Sequence, residues 1–331
     1  MRVLVVKLSS LGDVIHTLPA LGDAAAALPG IRFDWVVEEA FAEIPGWHSA
    51  VEQVIPIALR RWRKRPLKDF SGPEWREARR LLRAHDYDAV IDAQGLLKSA
   101  FIARLVQAPR YGMDKSSARE RLAALAYDHP IPVPRDMHAV ERTRLLFARA
   151  LDYSLPERRG RYGLAGSLPP ATSESTPGLL FFHGSARSEK LWPERHWAAL
   201  AAMAEEAGYR VWLPRGSDEE HQRAQRIAAP GQNTRVLPPM NLQQIAGLLQ
   251  QVSGAVAVDT GLGHLGAALD VPSVSLYGPT STRLVGTYGR NQLHLQSPLV
   301  DGDITDPATL MEAIEPAAVW QALLTAMEES G

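Results

Sequence analysis

The chain has 331 residues, 46% of them hydrophobic and 22% charged, with a formal net charge of -1 at pH 7. That length accommodates two domains with separate cores, and the near-zero charge argues against bulk nucleic-acid binding, so any anionic partner must meet a local patch. With no cysteine, disulfides, thiolate zinc sites and cysteine nucleophiles are excluded together.

The first apolar stretch, from Met1 to Lys7, is too short for a signal peptide, and no run approaches the ~20 residues of a spanning helix. The expected location is the cytoplasm, with at most peripheral membrane contact. Short apolar or β-branched runs then alternate with helical stretches, the pattern of a parallel sheet flanked by helices. Strands are predicted at Arg2 to Leu8, Ile31 to Val37, Val51 to Ile57 and Ala89 to Asp92. Helices are predicted at Val14 to Ala27, Pro73 to Ala84, Leu96 to Val106 and His138 to Leu151. Between Asp152 and Gly178 the chain carries Leu-Pro, Gly-Ser and Pro-Pro steps and a Thr/Ser-rich tract, the composition of a linker. The alternation restarts with strands at Leu179 to His183, Tyr209 to Leu213, Thr234 to Leu237, Ala255 to Val258 and Ser273 to Leu276. The expectation is an α/β protein with a first domain at 1–152, a linker at 153–178 and a second domain at 179–331. The final helix, Pro316 to Met327, is free to pack on either domain.

Open parallel sheets bind ligands beyond the carboxyl ends of their strands, so the loops leaving strands carry the candidate chemistry. The first strand runs into Lys7-Leu8-Ser9-Ser10-Leu11-Gly12-Asp13. Asp13 falls at a helix start, where it acts either as a cap worth about 1 kcal/mol or as a general base worth about 10²- to 10⁴-fold in rate. Lys7, Ser9 and Ser10 add a cation and hydroxyls able to orient an acceptor. Arg60-Arg61-Trp62-Arg63-Lys64-Arg65-Pro66, with Lys68 beyond, is either a solvated charge run or a fixed patch for phosphates or an anionic bilayer.

In the second half, Val258-Asp259-Thr260-Gly261-Leu262-Gly263-His264 takes a strand through a glycine-broken turn into a helix. Free N–H groups and the helix dipole make such a turn an anion site. Gly261 to Gly266 spells G-x-G-x-x-G, but the next strand ends Val274-Ser275-Leu276-Tyr277-Gly278-Pro279, without the acidic residue a dinucleotide ribose needs. His183-Gly184-Ser185-Ala186-Arg187-Ser188-Glu189-Lys190 is a second loop of the phosphate type, in which Ser185 and Lys190 can meet a diphosphate. Asp218, Glu219 and Glu220 are candidates for ribose hydroxyls, or else ordinary first-turn acids of a helix. His16, His183, His196 and His264 lack metal-ligand spacing, and only His264, beside Gly261, is expected to touch a ligand. Asp86-Tyr87-Asp88 formally spells the D-x-D of some sugar transferases but directly precedes a strand. No Ser-His-Asp nucleophile elbow is present.

Taken together, Val6 to Asp13, His16-Thr17-Leu18-Pro19-Ala20-Leu21, the Arg60 to Lys64 run, Lys190-Leu191-Trp192-Pro193 and Asp259-Thr260-Gly261-Leu262 resemble the bacterial ADP-heptose:lipopolysaccharide heptosyltransferases over nearly the whole chain. Phe33 to Glu39, the Arg60 to Lys64 run and Ala139 to Arg144 resemble the branch that adds the first heptose to Kdo-lipid A, with the second-heptose branch as rival. The resemblance implies a GT-B fold, two Rossmann-like parallel-sheet domains across a cleft, acceptor on the first and nucleotide sugar on the second. It implies an inverting, metal-independent transfer from ADP-L-glycero-β-D-manno-heptose to a Kdo hydroxyl, with Asp13 as base and no cofactor. Donor contacts are implied for Ser185, Lys190, Glu220, Met240, Asp259, Thr260, Gly261, Leu262 and His264. Within these, Glu220 is favoured for the ribose and Met240 for the adenine. Lys7, Ser10, Arg60, Arg61, Arg63, Lys64 and Arg119 are implied on the acceptor side, where Kdo carboxylates and lipid A phosphates are anionic. The implied setting is the cytoplasmic face of the inner membrane, with no nucleic acid and no stable protein partner. Relatives often carry two adjacent hydroxyl residues where this chain has Ser185-Ala186, which puts one donor hydrogen bond in question. Two readings of other classes stay open: a non-catalytic protein binding an anionic glycolipid, and an NAD(P)-dependent oxidoreductase built on Gly261 to Gly266.

Overall fold

The computed structural model of the chain describes residues 1–69, 71–164 and 178–329. They divide into two compact units, Met1–Ser167 and Leu168–Gly331.

The first unit is built on β1 (Arg2–Val6), β2 (Arg32–Glu38), β3 (Val51–Ile57), β4 (Ala89–Asp92), β5 (Arg110–Met113) and β6 (His129–Ile131), all parallel, in the order β3-β2-β1-β4-β5-β6. Its principal helices are α1 (Leu11–Ile15), α2 (Leu18–Ala27), α3 (Pro73–Leu82), α4 (Leu97–Ala103) and α5 (Ala139–Ala150). A strand covered on both faces reads as a continuous apolar run, and Val3 to Val6 are all fully buried. On one face Leu4, Val6, Val36, Ile55 and Val90 pack with Trp62, Trp75, Leu82 and Ile102. On the other, α2 lies against α5, and Phe33 meets Phe147 at 6.2 Å between ring centroids.

The helix predicted from Val14 to Ala27 is instead α1 and α2, broken at His16-Thr17. Pro19, in the first turn of α2, lacks the N–H that a continuous helix would donate. Strands β5 and β6 escape a sequence reading because they are short and carry Arg, Gly, His and Pro. Gly112 in β5 leaves room for Tyr127, whose ring stands 2.4 Å from where a Cβ would be.

Residues 153–164, predicted as the start of a linker, pack on this unit. Arg144 is fully buried, and its guanidinium donates to Asp23 at 2.6 Å, to Glu141 at 2.7 and 3.0 Å, and to the carbonyls of Pro156 at 3.1 Å and Arg158 at 2.8 Å. A buried guanidinium carries five donors and needs acceptors for them, and the 153–164 segment supplies two. The remainder of the predicted linker, 165–177, lies outside the described residues.

The second unit contains β7 (Gly178–Phe182), β8 (Arg210–Leu213), β9 (Thr234–Val236), β10 (Gly254–Val258), β11 (Ser273–Tyr277) and β12 (Gln292–Gln296), parallel in the order β12-β11-β10-β7-β8-β9. Around them stand α6 (Glu194–Glu206), α7 (Asp218–Ala228), α8 (Leu242–Leu249), α9 (Gly261–Ala268) and α10 (Pro316–Glu328). The final helix packs on this unit, against α6 and β10 to β12, and Val319 and Leu323 are fully buried there with Trp192, Trp197 and Val256. Strand β12, at the sheet edge, is half-buried throughout and was not predicted.

Both units are Rossmann-like sheets, as expected, and each has one point where strand order reverses: between β1 and β4, and between β7 and β10. Loops leaving two strands at such a point diverge to opposite faces and leave a crevice at their carboxyl ends, the usual ligand position of this fold.

Candidate active site

At the β1/β4 point, Lys7 follows β1 and is buried, and its Nζ donates to the carbonyl of Ala93, just past β4, at 2.9 Å. The Leu8 N–H donates to Gln94 Oε1 at 2.7 Å, and Ser9 Oγ accepts from Lys98 Nζ at 3.1 Å. Asp13 occupies the third position of α1. Its Oδ2 accepts from both the N–H and the hydroxyl of Ser10, each at 2.9 Å, closing a capping box. The cap reading of Asp13 is therefore met by one oxygen, and Oδ1 has no donor among the described residues. Burial pushes the Asp13 carboxyl up, but Lys7, the two Ser10 donors and Arg119 outweigh it and hold Asp13 below the usual carboxylate range. Burial in turn pulls the Lys7 ammonium below the usual lysine range. Asp13 is thereby held ionised, the state in which a carboxylate can accept a proton.

Sequence reasoning passed over the β4 side of this crevice. Asp92 is fully buried and accepts from the Tyr127 hydroxyl at 2.7 Å and from the N–H groups of Gln94 at 2.9 Å and Gly95 at 3.1 Å, which shapes the loop holding Lys7 and Leu8. Burial raises the Asp92 carboxyl. The available signal was the strand ending in Asp92-Ala93-Gln94-Gly95. Gly95 has φ of +68° and accepts from the Glu120 N–H at 3.0 Å, which brings the loop bearing exposed Arg119 beside it.

The basic run divides. Arg61 is already paired, with Glu39 at 3.0 Å and Glu74 at 2.9 Å, so the acceptor role implied for it competes with two carboxylates. The Arg60 guanidinium lies 5.5 Å from the Phe41 ring, and the Arg60 backbone N–H donates to Glu38 Oε1 at 2.9 Å. Arg63 and Lys64 are exposed, while Trp62 just before them is buried and donates to Glu74 at 2.9 Å. Asp86-Tyr87-Asp88 lies at the amino end of β4, away from the crevice. Tyr87 and Asp88 are structural, the Tyr87 hydroxyl donating to Asp34 at 2.7 Å and Asp88 accepting from the Arg2 N–H at 2.7 Å, while Asp86 is exposed.

At the β7/β10 point the loops of the second unit meet. Lys190 Nζ donates to Asp259 Oδ2, and Ser185 Oγ approaches the Asp259 carbonyl at 3.4 Å. Thr260 caps α9 with extended backbone and Gly261 is its first residue, so the N–H groups of Gly261 and Leu262 head the helix. Gly263 and Gly266 lie inside the helix rather than in a phosphate loop. A Cβ on Gly263 would stand 3.0 Å from Ala257 Cβ, so this glycine serves close helix-to-sheet packing. The motif also follows the fourth strand of its unit, whereas a dinucleotide fingerprint occupies the first βα turn. His264, on the first turn, is buried.

Glu220 is the third residue of α7, where it closes a capping box with Ser217 and accepts from the Gly216 N–H at 2.6 Å. Its other oxygen crosses to the β7 loop: a Cβ on Gly184 would come within 2.5 Å of Glu220 Oε1. Glu220 is thus both the first-turn acid and a group at the crevice. Met240 is half-buried just before α8. Among the described residues no group of three or more His, Asp or Glu is placed to hold a metal ion.

Residues 75–303 match the family model of glycosyltransferase family 9 (heptosyltransferase). Lipopolysaccharide heptosyltransferase 1 of Pseudomonas aeruginosa is 55% identical over 90% of this chain and 84% of its own. The chain belongs to the heptosyltransferases of glycosyltransferase family 9. The structure of E. coli heptosyltransferase WaaC with ADP superposes with a TM-score of 0.90 at 45% identity, covering 98% of this chain and all of that one. WaaC with ADP-2-deoxy-2-fluoro heptose superposes at 0.86, also at 45% identity and over 100% of both chains. Lipopolysaccharide heptosyltransferase 2 of Salmonella typhimurium is 28% identical over 85% of this chain and 84% of its own, so similarity favours the first-heptose branch over the second. This heptosyltransferase is a GT-B transferase, and the oxidoreductase and non-catalytic readings are set aside.

Proposed function

We propose that this heptosyltransferase transfers L-glycero-D-manno-heptose from ADP-heptose to a Kdo hydroxyl of Kdo-lipid A with inversion, Asp13 acting as general base. The observation that carries the reading is the placement of Asp13 on the helix following β1, one oxygen held by Ser10, at the same β1/β4 crevice where buried Lys7 reaches across to the Ala93 carbonyl. Asp13 takes the proton of the acceptor hydroxyl, whose oxygen forms the new bond to the anomeric carbon. The bond to ADP breaks with its electron pair going to the diphosphate. Lys190 and the N–H groups opening α9 meet that charge, in a setting where charge-assisted hydrogen bonds are each worth about 1.5 to 3 kcal/mol. No step is assigned to a metal ion.

On the donor side, Glu220 accepts from ribose hydroxyls, Met240 packs on adenine, and Ser185, Asp259, Thr260, Leu262 and His264 line the remaining positions. On the acceptor side, Lys7, Ser10, Arg60, Arg63, Lys64 and Arg119 meet the carboxylate and phosphates, with Arg61 recruited from its two glutamates. Lys98, bonded to Ser9, belongs with them. The relatives support the donor: WaaC has been solved with ADP and with a fluorinated ADP-heptose. A lipid-borne acceptor puts the work at the cytoplasmic face of the inner membrane. No helix among the described residues is long and apolar enough to cross a membrane.

The test is ADP release from ADP-heptose with and without Kdo-lipid A, with the lipid followed by mass. Acceptor-dependent release with a one-heptose mass gain is expected. Turnover confined to an already heptosylated acceptor would transfer the chain to the second-heptose activity.

A further inference from the structure

We propose that the face of the first unit formed by α4 and the short 3₁₀ helix Arg121–Ala126 docks on an anionic phospholipid bilayer through Leu97, Phe101, Leu122 and Leu125. This deepens the reading above, since an enzyme with a lipid-borne acceptor must work at the leaflet that holds it.

Leu97 and Phe101 are each 50% exposed, Leu122 64% and Leu125 61%. Leu97 and Phe101 stand four apart on α4 and share a face. Leu122 and Leu125 stand three apart on a 3₁₀ helix, where side chains at that spacing eclipse. The two elements pack through Ala100, Ala123, Ala124 and Tyr127, and the Leu97 N–H donates to Glu120 at 2.6 Å, so the four side chains belong to one continuous surface. Singly exposed apolar residues are ordinary, whereas a cluster of large ones marks an interaction surface.

Charge selects the occupant. Arg104 continues the exposed side of α4, and Arg119 and Arg121 lead into the 3₁₀ helix, all three exposed. Beyond Phe101 the Trp75 ring stacks at 6.2 Å, and Trp75 meets Trp62 edge-on at 5.7 Å. Trp62 anchors the run that exposes Arg63 and Lys64. The apolar strip is therefore rimmed by cations on two sides, the composition of a surface that seats leucine and phenylalanine at the acyl boundary while cations meet phosphates. A second copy of the chain would bring the same cationic rim against itself across a two-fold axis.

The full-length protein would be floated with vesicles of phosphatidylethanolamine and phosphatidylglycerol and, separately, of phosphatidylcholine alone. The expected result is binding to the anionic vesicles, weaker binding to phosphatidylcholine, and loss as salt screens the rim. Leu122→Asn/Leu125→Asn should lower vesicle partitioning about tenfold or more. It should leave turnover of a deacylated, water-soluble acceptor unchanged while slowing turnover of the vesicle-borne acceptor. Both side chains are exposed, and Leu97→Ser supplies an independent variant should the double one misfold. Unchanged flotation of the variants would overturn the proposal. So would a dimer in the parent protein that dissociates in the variant while vesicle binding persists, which would assign the face to a second copy. Parent protein that floats but turns over neither acceptor counts against the acceptor reading alone, because flotation decides the docking face by itself.

Discussion

Lys190 and Asp259 join the loops leaving β7 and β10 through a hydrogen bond from Nζ to Oδ2, with the two side chains only 15% and 10% exposed. A half-buried cation held by a carboxylate is oriented before the diphosphate arrives. Lys190→Ala should lower kcat/KM for ADP-heptose by roughly 10- to 100-fold, the value of one charge-assisted contact. Asp259→Asn should cost less, and the double variant should fall short of the sum because the residues act together. Additive losses in steady-state kinetics would show that the pair is not coupled in the working enzyme.

Asp13→Asn retains the shape of the side chain and part of its capping role but removes the base. The expected outcome is a fall in kcat of about 10²- to 10⁴-fold with a stability change of only about 1 kcal/mol. Near-normal turnover with unchanged melting would leave Asp13 as a cap and nothing more.

The pH profile separates these roles further. Because Lys7, Ser10 and Arg119 hold Asp13 below the usual carboxylate range, the base stays ionised into mildly acidic solution, and activity declines only as pH falls through that lowered value. Lys7→Met removes the largest lowering influence, so the acid limb of kcat should move to higher pH. An acid limb that stays in place would show that another group controls it.

Gly184 gives way to Glu220. With a Cβ only 2.5 Å from Oε1, Gly184→Ala must displace the carboxylate, and the KM for ADP-heptose should rise about tenfold, within the range for one disturbed charged hydrogen bond. The KM for the acceptor should barely change. ADP binding followed by calorimetry checks the donor half directly, and unaltered affinity would remove Glu220 from the ribose.

Stability should depend on pH through His48 and His183. Burial lowers both imidazoles from 6.5 to about 4, and both are nearly inaccessible. Between those values the unfolded chain binds more protons than the folded one, so unfolding free energy rises with pH across that window, by up to about 1.4 kcal/mol per pH unit for each histidine. Urea unfolding at pH 5 and pH 7 measures it, and a flat response would show that neither imidazole stays neutral in the fold.

The amino-acid sequence by itself determined the α/β class, the two-unit organisation and most central strands, because strands covered on both faces leave uninterrupted apolar runs such as Val3 to Val6 and Ala255 to Val258. It also singled out Asp13, Lys190 and Asp259, since loops leaving such strands are where this fold places ligands. Strand β5 and the edge strands β6 and β12 were not legible, because short or half-buried strands carrying Arg, Gly, His, Pro and Gln lack that burial signal. Only the tertiary structure decided which loops meet. Strand order places Lys7 beside Ala93 and Lys190 beside Asp259, partners 86 and 69 residues apart, and no local pattern encodes a pairing over that separation. It also decided that Arg61 is held by two glutamates, that Glu220 reaches Gly184, and that 153–164 packs against Arg144 instead of linking. Each of these depends on a buried or paired charge finding its partner across the fold, which the residues of one segment cannot specify alone.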